Sequence, residues 1–170
     1  MELIDRALKF STAAHAAVGQ KRKYDGEDYI VHPIRVADIV RTYGGSDDQI
    51  AAAYLHDVVE DTQVDIDTIQ SMFGDTIASL VSDLTDVSVA SDGNRATRKA
   101  IDRDHTLSSS VDAQFVKLAD ILDNSRDIGA NDPNFYRVYQ KEMLALLDGM
   151  TDCDLFPLYA RALDSVKKTS

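Results

Sequence analysis

Apolar residues recur along this chain at intervals of three and four positions, which is the spacing of one face of an α-helix. The second predicted helix contains Pro33 in its first turn, where a residue without a backbone N–H is tolerated, and ends at Gly44-Gly45. Apart from the short segment 114–116, no alternating run favours a β-strand. The face predicted for the first helix consists of Leu3, Ala7, Phe10, Ala14, Ala17 and Val18.

Polar residues that commonly cap helices predict where most of the other helices begin. Ser46, followed by two aspartates, predicts the N-cap of a third helix that continues through residues 50–61. The stretch over residues 88–99 is polar without an apolar stripe, and we expect much of it to be a mobile loop. Whether the region 91–110 closes over a substrate stays open. The remaining predicted helices run from Asp65 or Asp67 to Gly74, from Asp75 to Val87, over residues 111–128 before a break at Asn131-Asp132-Pro133, and on each side of Pro157.

These elements predict an all-α helical bundle in a single domain over residues 1–170. The apolar stretches are shorter than the roughly 20 residues that span a bilayer, and the first residues lack the apolar segment of a secretory signal. With Cys153 as its single cysteine, the chain can form no intramolecular disulfide. We therefore expect a cytoplasmic protein without a membrane partner.

The charge balance argues against one class of partner. The chain carries 29 acidic and 18 basic residues, for a formal net charge of −11. Binding to nucleic acid relies on neutralising its phosphates, so we expect no nucleic-acid partner. A small anionic ligand needs only local positive charge, much of which a bound divalent cation can supply.

Three short segments carry side chains that can bind a metal ion: His32, the adjacent pair His56-Asp57, and Asp120. Imidazole nitrogen together with carboxylate oxygen suits a divalent ion such as manganese, iron or zinc. Asp57 follows the apolar run 50–55, where a buried charge needs a partner such as a metal ion. A single histidine on a helix is more often a packed or surface residue, so spacing alone gives only a hypothesis of a metal site.

Three polar residues lie one helical turn beyond these candidate ligands: Glu60, Asp61 and Asn124. Side chains at such positions can orient water or substrate, and an acidic group near an activated water can accept its proton. The alternative is that Glu60 and Asp61 are ordinary charges at the end of a solvated helix.

Four segments of the chain resemble the hydrolase domain of RelA/SpoT homologues, within the HD superfamily. In layout the chain is similar to the single-domain small alarmone hydrolases, including the metazoan SpoT-homologue type. The resemblance covers about residues 5–128 and includes the HDxxED and RKxxG…YxxHP signatures, whereas the C-terminal helices over 132–168 resemble the family only loosely. The four segments are GQKRKYDGEDYIVHPIRVADIV (19–40), AAAYLHDVVEDT (51–62), FGDTIASLVSDLTD (73–86) and FVKLADILDN (115–124).

This resemblance implies an HD-domain helical bundle and a role for each candidate residue. Glu60 and Asp61 are implied to activate or orient the attacking water. Arg22, Lys23 and Asn124 are implied to contact the nucleotide; a basic pair can bind phosphate or stack on a base, although a solvated turn explains the pair equally well without the family match. The implied ligands of one divalent ion, usually Mn²⁺, are His32, His56, Asp57 and Asp120.

The implied reaction removes the 3′-pyrophosphate of guanosine tetra- or pentaphosphate, the nucleotides of the stringent response, and yields GDP or GTP and pyrophosphate. The intact motif over residues 56–61 predicts an active hydrolase, and the length leaves no room for a synthetase domain. Asp28 stands where the family commonly has proline, and Thr97 where it commonly has glutamate. These departures border the nucleotide pocket and bear on which base and ribose are bound.

Two alternatives to this function stay open. One is an HD phosphohydrolase that acts on another nucleotide, such as NADPH or a nucleoside monophosphate. The other is a non-catalytic nucleotide-binding HD module. The C-terminal helices also offer a face for a homo-oligomer, and no residue pattern decides between a monomer and an oligomer.

Overall fold

The computed structural model of the protein describes residues 2–168. It is 76% helical and contains no strand within those residues. An isolated antiparallel bridge joins Lys21 and Asp28. The all-α prediction is therefore confirmed. The chain divides into two compact units, one ending at Thr85 and the other beginning at Asp86, and the prediction of a single domain stays a prediction.

The first unit is built around one short, almost completely buried helix, α3. Residues 49–55 of α3 are all buried, and its three consecutive alanines, 51–53, are 0% exposed. These small side chains let α1, α2 and α6 pack closely against α3. The helices of this unit are α1 (Leu3–Ala17), α2 (Val31–Thr42), α3 (Asp47–Leu55), α4 (Val58–Asp61), α5 (Ile66–Phe73) and α6 (Asp75–Leu84).

The predicted helix ends in the first unit are mostly confirmed. Ser46 and Gln49 form a capping box in which the Gln49 N–H donates to Ser46 Oγ at 3.2 Å and the Ser46 N–H donates to Gln49 Oε1 at 2.9 Å. Asp65 caps α5, and Gly74 follows its end with a φ of 87° that favours glycine. The last helix of the unit stops at Leu84, before the predicted end at Val87.

Two predictions about the first unit are wrong. The third helix does not continue through residues 50–61, because α3 ends at Leu55 and α4 begins at Val58. The buried face of α1 consists of Ala7, Ser11 and His15, whereas Val18 lies beyond the helix and is 40% exposed. Of the predicted face, Ala7 is buried, whereas Ala17 and Val18 are exposed; the other two buried residues of α1 are polar, so apolar periodicity finds only part of the buried face.

The second unit packs its longest helix, α8, against α9 and α10. Pro133 and Pro157 stand at the first positions of α9 and α10, as expected from a residue whose backbone lacks an N–H. The helices of this unit are α7 (Arg95–Ser108), α8 (Val111–Asn131), α9 (Pro133–Gly149) and α10 (Pro157–Lys167), with 3₁₀ turns at Ala90–Asp92 and Thr151–Cys153.

The prediction of a mobile loop over residues 88–99 is wrong for its second half, where α7 begins. Asn94 caps this helix by accepting a hydrogen bond from the Thr97 N–H at 3.1 Å. The buried residues of α7 are Asp102 and Thr106, so the helix turns a polar face inward. Asp102 accepts the backbone N–H groups of Val87 and Ser88 at 3.1 and 2.9 Å, which explains why this face lacks an apolar stripe.

Between residues 2 and 168, no helix combines the length and the apolar character that crossing a membrane requires.

Candidate functional site

The first unit brings together three side chains with metal-binding atoms: His32, His56 and Asp57. One such atom from each residue lies within 4.8 Å of the others. His32 stands in the first turn of α2, and His56 and Asp57 occupy the break between α3 and α4. The two imidazoles are 1% and 3% exposed, with ring centroids 5.2 Å apart. The predicted proximity of these three residues is therefore present in the structure.

Hydrogen bonding orients His56 toward the carboxylate of Asp57. His56 Nδ1 lies 2.8 Å from the carbonyl oxygen of Ala53, and since a carbonyl only accepts, Nδ1 carries the proton. In the neutral ring the Nε2 lone pair then faces Asp57 Oδ2 at 3.0 Å, while His32 Nε2 lies 3.7 Å from the same oxygen. Lone pairs this close are compatible only with a shared proton or a cation, so the donor set fits a divalent ion.

Tyr29 holds the Asp57 carboxylate in this position. Asp57 is the N-cap residue of α4, yet its side chain makes no capping hydrogen bond. Its Oδ2 instead accepts a hydrogen bond from the Tyr29 hydroxyl at 2.7 Å. Sequence reasoning missed Tyr29 as a site residue. The available signal was its position three residues before His32, in the turn that leads into α2.

The two acidic residues predicted to act on water belong to the four-residue helix α4, and both are exposed. Asp61 Oδ2 accepts a hydrogen bond from Gln20 Nε2 at 2.9 Å. Partial desolvation by surrounding protein atoms raises the pKa of the Asp61 carboxyl, although the hydrogen bond from Gln20 opposes this shift. Asp61 is therefore anchored, and it holds a proton more readily than an ordinary aspartate does.

Gln20 is in turn bound by a buried histidine of α1. His15 Nδ1 lies 2.7 Å from Gln20 Oε1, and the His15 ring lies 4.8 Å from the Tyr29 ring, centroid to centroid. Sequence reasoning missed His15 and Gln20 as well. Their spacing of five residues spans the end of α1 and matches no helical or strand period, so no pattern in the sequence pairs them.

The two residues of the predicted basic pair differ in burial: Arg22 is buried and Lys23 is exposed. Arg22 is 8% exposed, and its guanidinium carbon lies 5.8 Å from the centre of the Tyr29 ring. Lys23 is exposed, with Nζ 4.9 Å from the Tyr24 ring centre. Both precede a tight turn at Gly26, whose φ of 73° favours glycine. Arg22 is thus the member of the pair nearer to the residues around Asp57.

The second unit holds the other two predicted site residues, Asp120 and Asn124, on α8. The Asp120 carboxylate is 6% exposed and accepts hydrogen bonds from Lys117 Nζ at 2.9 Å and Asn124 Nδ2 at 2.6 Å. These partners lie one turn before and one turn after Asp120, so the helix itself fixes the direction of the carboxylate. The positive charge of Lys117 beside Asp120 was not anticipated from the sequence.

Tyr136 and Tyr139 serve packing in the second unit. The Tyr136 hydroxyl donates to the carbonyl oxygens of Ser165 and Val166, at 2.9 and 3.1 Å, which ties α9 to α10. The Tyr139 hydroxyl donates to the Ile121 carbonyl at 3.4 Å. Both phenols are buried, and desolvation raises the pKa of each.

Comparison with known proteins finds one family and several similar chains. The sequence profile of the HD domain matches residues 7–147. The human guanosine-3′,5′-bis(diphosphate) 3′-pyrophosphohydrolase MESH1 is 38% identical over 131 residues, which cover 75% of this chain and 70% of that protein. Its Drosophila melanogaster counterpart is 35% identical over 118 residues, covering 67% and 64% of the two chains.

One structural match extends over nearly the whole chain. A solved structure described as a metazoan orthologue of SpoT that hydrolyses ppGpp has a TM-score of 0.83 at 26% identity, covering 98% of this chain and 94% of that one. A much longer relative from Synechocystis is 40% identical over 143 residues, which are 82% of this chain and 18% of that protein. The chain thus spans less than two thirds of the Synechocystis and Drosophila proteins.

Proposed function

This chain belongs to the HD domain family, and we propose that it is a metal-dependent hydrolase of guanosine tetra- and pentaphosphate. It removes the 3′-pyrophosphate and yields GDP or GTP and pyrophosphate. The observation that carries this proposal is the cluster of His32, His56 and Asp57, whose donor atoms lie within 4.8 Å of one another and whose two imidazoles are buried. The names of the MESH1 relatives and the description of the SpoT orthologue support the choice of substrate.

The proposed cofactor is one divalent metal ion, with Mn²⁺ as the specific candidate. His32, His56 and Asp57 would hold it, and family resemblance adds Asp120 as the proposed fourth ligand. Nitrogen and oxygen donors in this mixture suit manganese, iron or zinc. When bound, such an ion acts as a Lewis acid and lowers the pKa of water toward neutrality.

The proposed work of Glu60 and Asp61 is to orient the attacking water and accept its proton. Asp61 suits this role because its carboxylate is anchored by Gln20 and has a raised pKa, which brings proton uptake closer to neutral pH. Glu60 is exposed, as a group that meets an incoming substrate must be. Water attacks the phosphorus bonded to the 3′-oxygen and the bond between them breaks. The 3′-oxygen leaves and takes up a proton to become the 3′-hydroxyl of GDP or GTP, and pyrophosphate carries the oxygen of the water.

The proposed substrate contacts are made by Arg22, Lys23 and Asn124. A guanidinium can bind two phosphate oxygens at once, and an ammonium adds a compact positive charge. In a chain of net charge −11, local cations of this kind are needed to attract a polyphosphate. The proposed partner is therefore a small nucleotide and not a nucleic acid.

Two broader proposals accompany this activity. The match to the HD domain profile includes residues on both sides of the boundary between Thr85 and Asp86, which supports one phosphohydrolase domain over residues 1–170.

Cys153 is buried with a free thiol, and its pKa is raised to about 11 by desolvation, so it is unreactive. An unpaired, inert cysteine supports a reducing compartment such as the cytoplasm.

The test measures the release of pyrophosphate and of phosphate from a panel of nucleotides in the presence of Mn²⁺. The panel contains guanosine tetraphosphate, GTP, NADPH and nucleoside monophosphates. Asp57→Ala removes a proposed ligand, and Asp67→Ala, an exposed aspartate of α5, is the matched control. We expect release from guanosine tetraphosphate by the wild type and by Asp67→Ala, and a loss of at least about 100-fold in Asp57→Ala.

Each other outcome selects a different function. Phosphate release from NADPH or a monophosphate, with guanosine tetraphosphate left intact, would retain the metal chemistry and replace the substrate. Binding of metal and nucleotide without any turnover would favour the non-catalytic nucleotide-binding module.

A further inference from the structure

A chain of two side-chain hydrogen bonds runs from the interior of α1 to the proposed catalytic aspartate. His15 Nδ1 lies 2.7 Å from Gln20 Oε1, and Gln20 Nε2 lies 2.9 Å from Asp61 Oδ2. His15 is 1% exposed, Gln20 is partly exposed and Asp61 is exposed. The chain therefore connects a buried group to the open end of the short helix α4.

The chemistry of the three groups fixes the direction of both hydrogen bonds. An ionised carboxylate only accepts, so the Gln20 amide must present its NH₂ group to Asp61. Its carbonyl oxygen then faces His15, and His15 Nδ1 must carry the hydrogen. Only one orientation of the Gln20 amide satisfies both neighbours, and His15 completes the chain by donating from Nδ1 to the Gln20 carbonyl oxygen.

The burial of His15 lowers the stability of the fold, so packing alone does not explain why a histidine stands at this position. Its second ring nitrogen, Nε2, is buried and makes no hydrogen bond within residues 2–168. A buried polar atom without a partner lowers the stability of the fold, whereas an apolar side chain of similar size would avoid that penalty. What the imidazole provides in exchange is the hydrogen bond that orients Gln20.

Asp61 needs such an anchor because its own helix holds it weakly. It is the last residue of α4, which has four residues, and it lies at the exposed end of the helix. A single helical turn restrains its terminal side chain little. The hydrogen bond from Gln20 comes from a residue 41 positions earlier in the chain and supplies an external restraint.

We propose that His15 and Gln20 are positioning residues that hold the Asp61 carboxylate in the orientation required for proton transfer. This inference rests on the proposed function, because that function gives Asp61 a proton to accept. His15 acts through Gln20, and neither residue touches the substrate. Groups that orient a catalytic or metal-binding side chain from behind typically change activity by roughly 10- to 100-fold when removed.

The kinetic test uses variants that remove or restore individual hydrogen bonds. Gln20→Leu and His15→Leu should lower kcat roughly 10- to 100-fold, with KM and bound Mn²⁺ unchanged. His15→Asn, whose amide NH₂ replaces the Nδ1 donor, should recover most of the activity. The control is Gln70→Leu, which breaks an exposed Gln–Asp hydrogen bond of 2.8 Å to Asp75 and should leave kcat unchanged.

A double-mutant cycle separates positioning from general stabilisation. In an Asp61→Asn background the carboxylate is already lost, so adding Gln20→Leu should lower kcat no further. Full additivity of the two losses would overturn the proposal, and so would equal losses in His15→Asn and His15→Leu. A fall in bound Mn²⁺ that accounts for the lost activity would overturn it as well.

An NMR measurement tests the hydrogen-bond chain whatever nucleotide the enzyme hydrolyses. The Gln20 side-chain amide resonances, assigned by their disappearance in Gln20→Leu, are followed in ¹⁵N-labelled protein with diamagnetic Mg²⁺. They should shift in both His15→Leu and Asp61→Asn and stay in place in Gln70→Leu. Unshifted resonances would overturn the chain even in an active enzyme. Shifted resonances in a protein that leaves guanosine tetraphosphate intact would support the chain and reject the proposed substrate.

Discussion

The Tyr29 hydroxyl donates a hydrogen bond of 2.7 Å to Oδ2 of Asp57, the same oxygen that lies 3.0 Å from His56 Nε2 and 3.7 Å from His32 Nε2. Asp57 stands where a carboxylate would ordinarily cap a helix, and its side chain does not cap α4. The hydroxyl of Tyr29 thus helps to direct the carboxylate toward the two imidazoles. Such a contact would hold Asp57, a proposed metal ligand, in place before an ion binds.

Removing this contact should weaken metal binding. We expect Tyr29→Phe to raise the dissociation constant for Mn²⁺ by roughly 10- to 100-fold, because the ring remains while the hydrogen bond to Asp57 is lost. Activity should fall at limiting Mn²⁺ and recover at saturating Mn²⁺. Isothermal titration calorimetry with Mn²⁺ measures the first effect, and a metal titration of initial rates measures the second.

Tyr24→Phe is the matched control, since the Tyr24 hydroxyl contacts the exposed Lys23, at 3.4 Å. It should leave the affinity for Mn²⁺ unchanged. An unaltered dissociation constant in Tyr29→Phe would show that the hydroxyl does not orient the ligand.

Asp61 should oppose folding while it supports turnover. Desolvation raises the pKa of Asp61 above the ordinary value of 3.8. Ionising this carboxyl is therefore less favourable in the folded protein than in the unfolded chain, which lowers the stability of the fold at neutral pH. This opposition disappears below pH 3.8, where the carboxyl is protonated in both the folded and the unfolded states. Asp61→Asn should therefore raise the melting temperature of the metal-free protein at pH 7, and this gain should vanish near pH 3.

The same substitution should lower kcat by roughly 100-fold or more, because an amide cannot accept the proton. Differential scanning calorimetry at the two pH values and steady-state kinetics provide both readings. A lower melting temperature at pH 7 would mean that the Asp61 charge stabilises the fold, contrary to the sign of its pKa shift.

The features predicted correctly from the sequence are those that depend on neighbouring residues. The predicted N-cap Ser46 accepts a hydrogen bond from the N–H of Gln49, and the carboxylate of Asp65 accepts one from the N–H of Thr68, each three residues on. The adjacency of His56 and Asp57 also predicted that their donor atoms lie close together, and the two atoms are 3.0 Å apart. Each of these interactions joins residues that are close in the chain, so the spacing of residue types in the sequence is enough to predict it.

The features that were missed depend on contacts between distant residues or on buried polar groups. Gln20 reaches Asp61 across 41 positions, and no periodicity links them. Residues 88–99 lack an apolar stripe and therefore predict a loop, but helix α7 begins at Arg95 and turns a polar face with Asp102 inward. Apolar periodicity detects faces that bury hydrocarbon, and it does not detect a face that buries a hydrogen-bonded carboxylate.

The Asp102 carboxylate should stabilise the second unit through its charge. Burial raises its pKa, but this is outweighed by hydrogen bonds from the Ser88 N–H and hydroxyl and by the charge of Lys99, so the pKa lies below 3.8. Stability from this source is present above pH 3.8 and is lost as the pH falls through the lower folded-state value. Asp102→Asn should cost about 1 kcal/mol of unfolding free energy at pH 7, since hydrogen bonds to a charged group are the stronger ones.

Urea denaturation at pH 7 and pH 3 measures this effect. The difference between wild type and Asp102→Asn should shrink at pH 3, because this pH lies below 3.8, the ordinary pKa, and the carboxyl of the unfolded wild type is then mostly protonated. Asp104→Asn, whose side chain is 70% exposed beside Arg103, should leave stability nearly unchanged at both pH values. A difference that stays constant with pH would assign the loss to geometry instead of charge.

Binding of Mn²⁺ should stabilise the folded protein through Asp57. An ion that binds only the folded state contributes about 2.7 kcal/mol at a concentration 100-fold above its dissociation constant. For a domain of this size that corresponds to a rise in melting temperature of about 5–10 °C, which a chelator should reverse. Asp57→Ala should abolish the rise because it removes one of the three clustered donors.

The control for this last prediction must lower stability without touching the metal donors. Ser46→Ala removes the capping box of α3 and should cost about 1 kcal/mol with and without the ion, so the rise with Mn²⁺ persists. The net charge of −11 makes loose binding of Mn²⁺ to surface carboxylates the main competing cause of stabilisation. An equal rise in wild type and Asp57→Ala would identify that cause, and the cluster of His32, His56 and Asp57 would lose its assignment as the metal site.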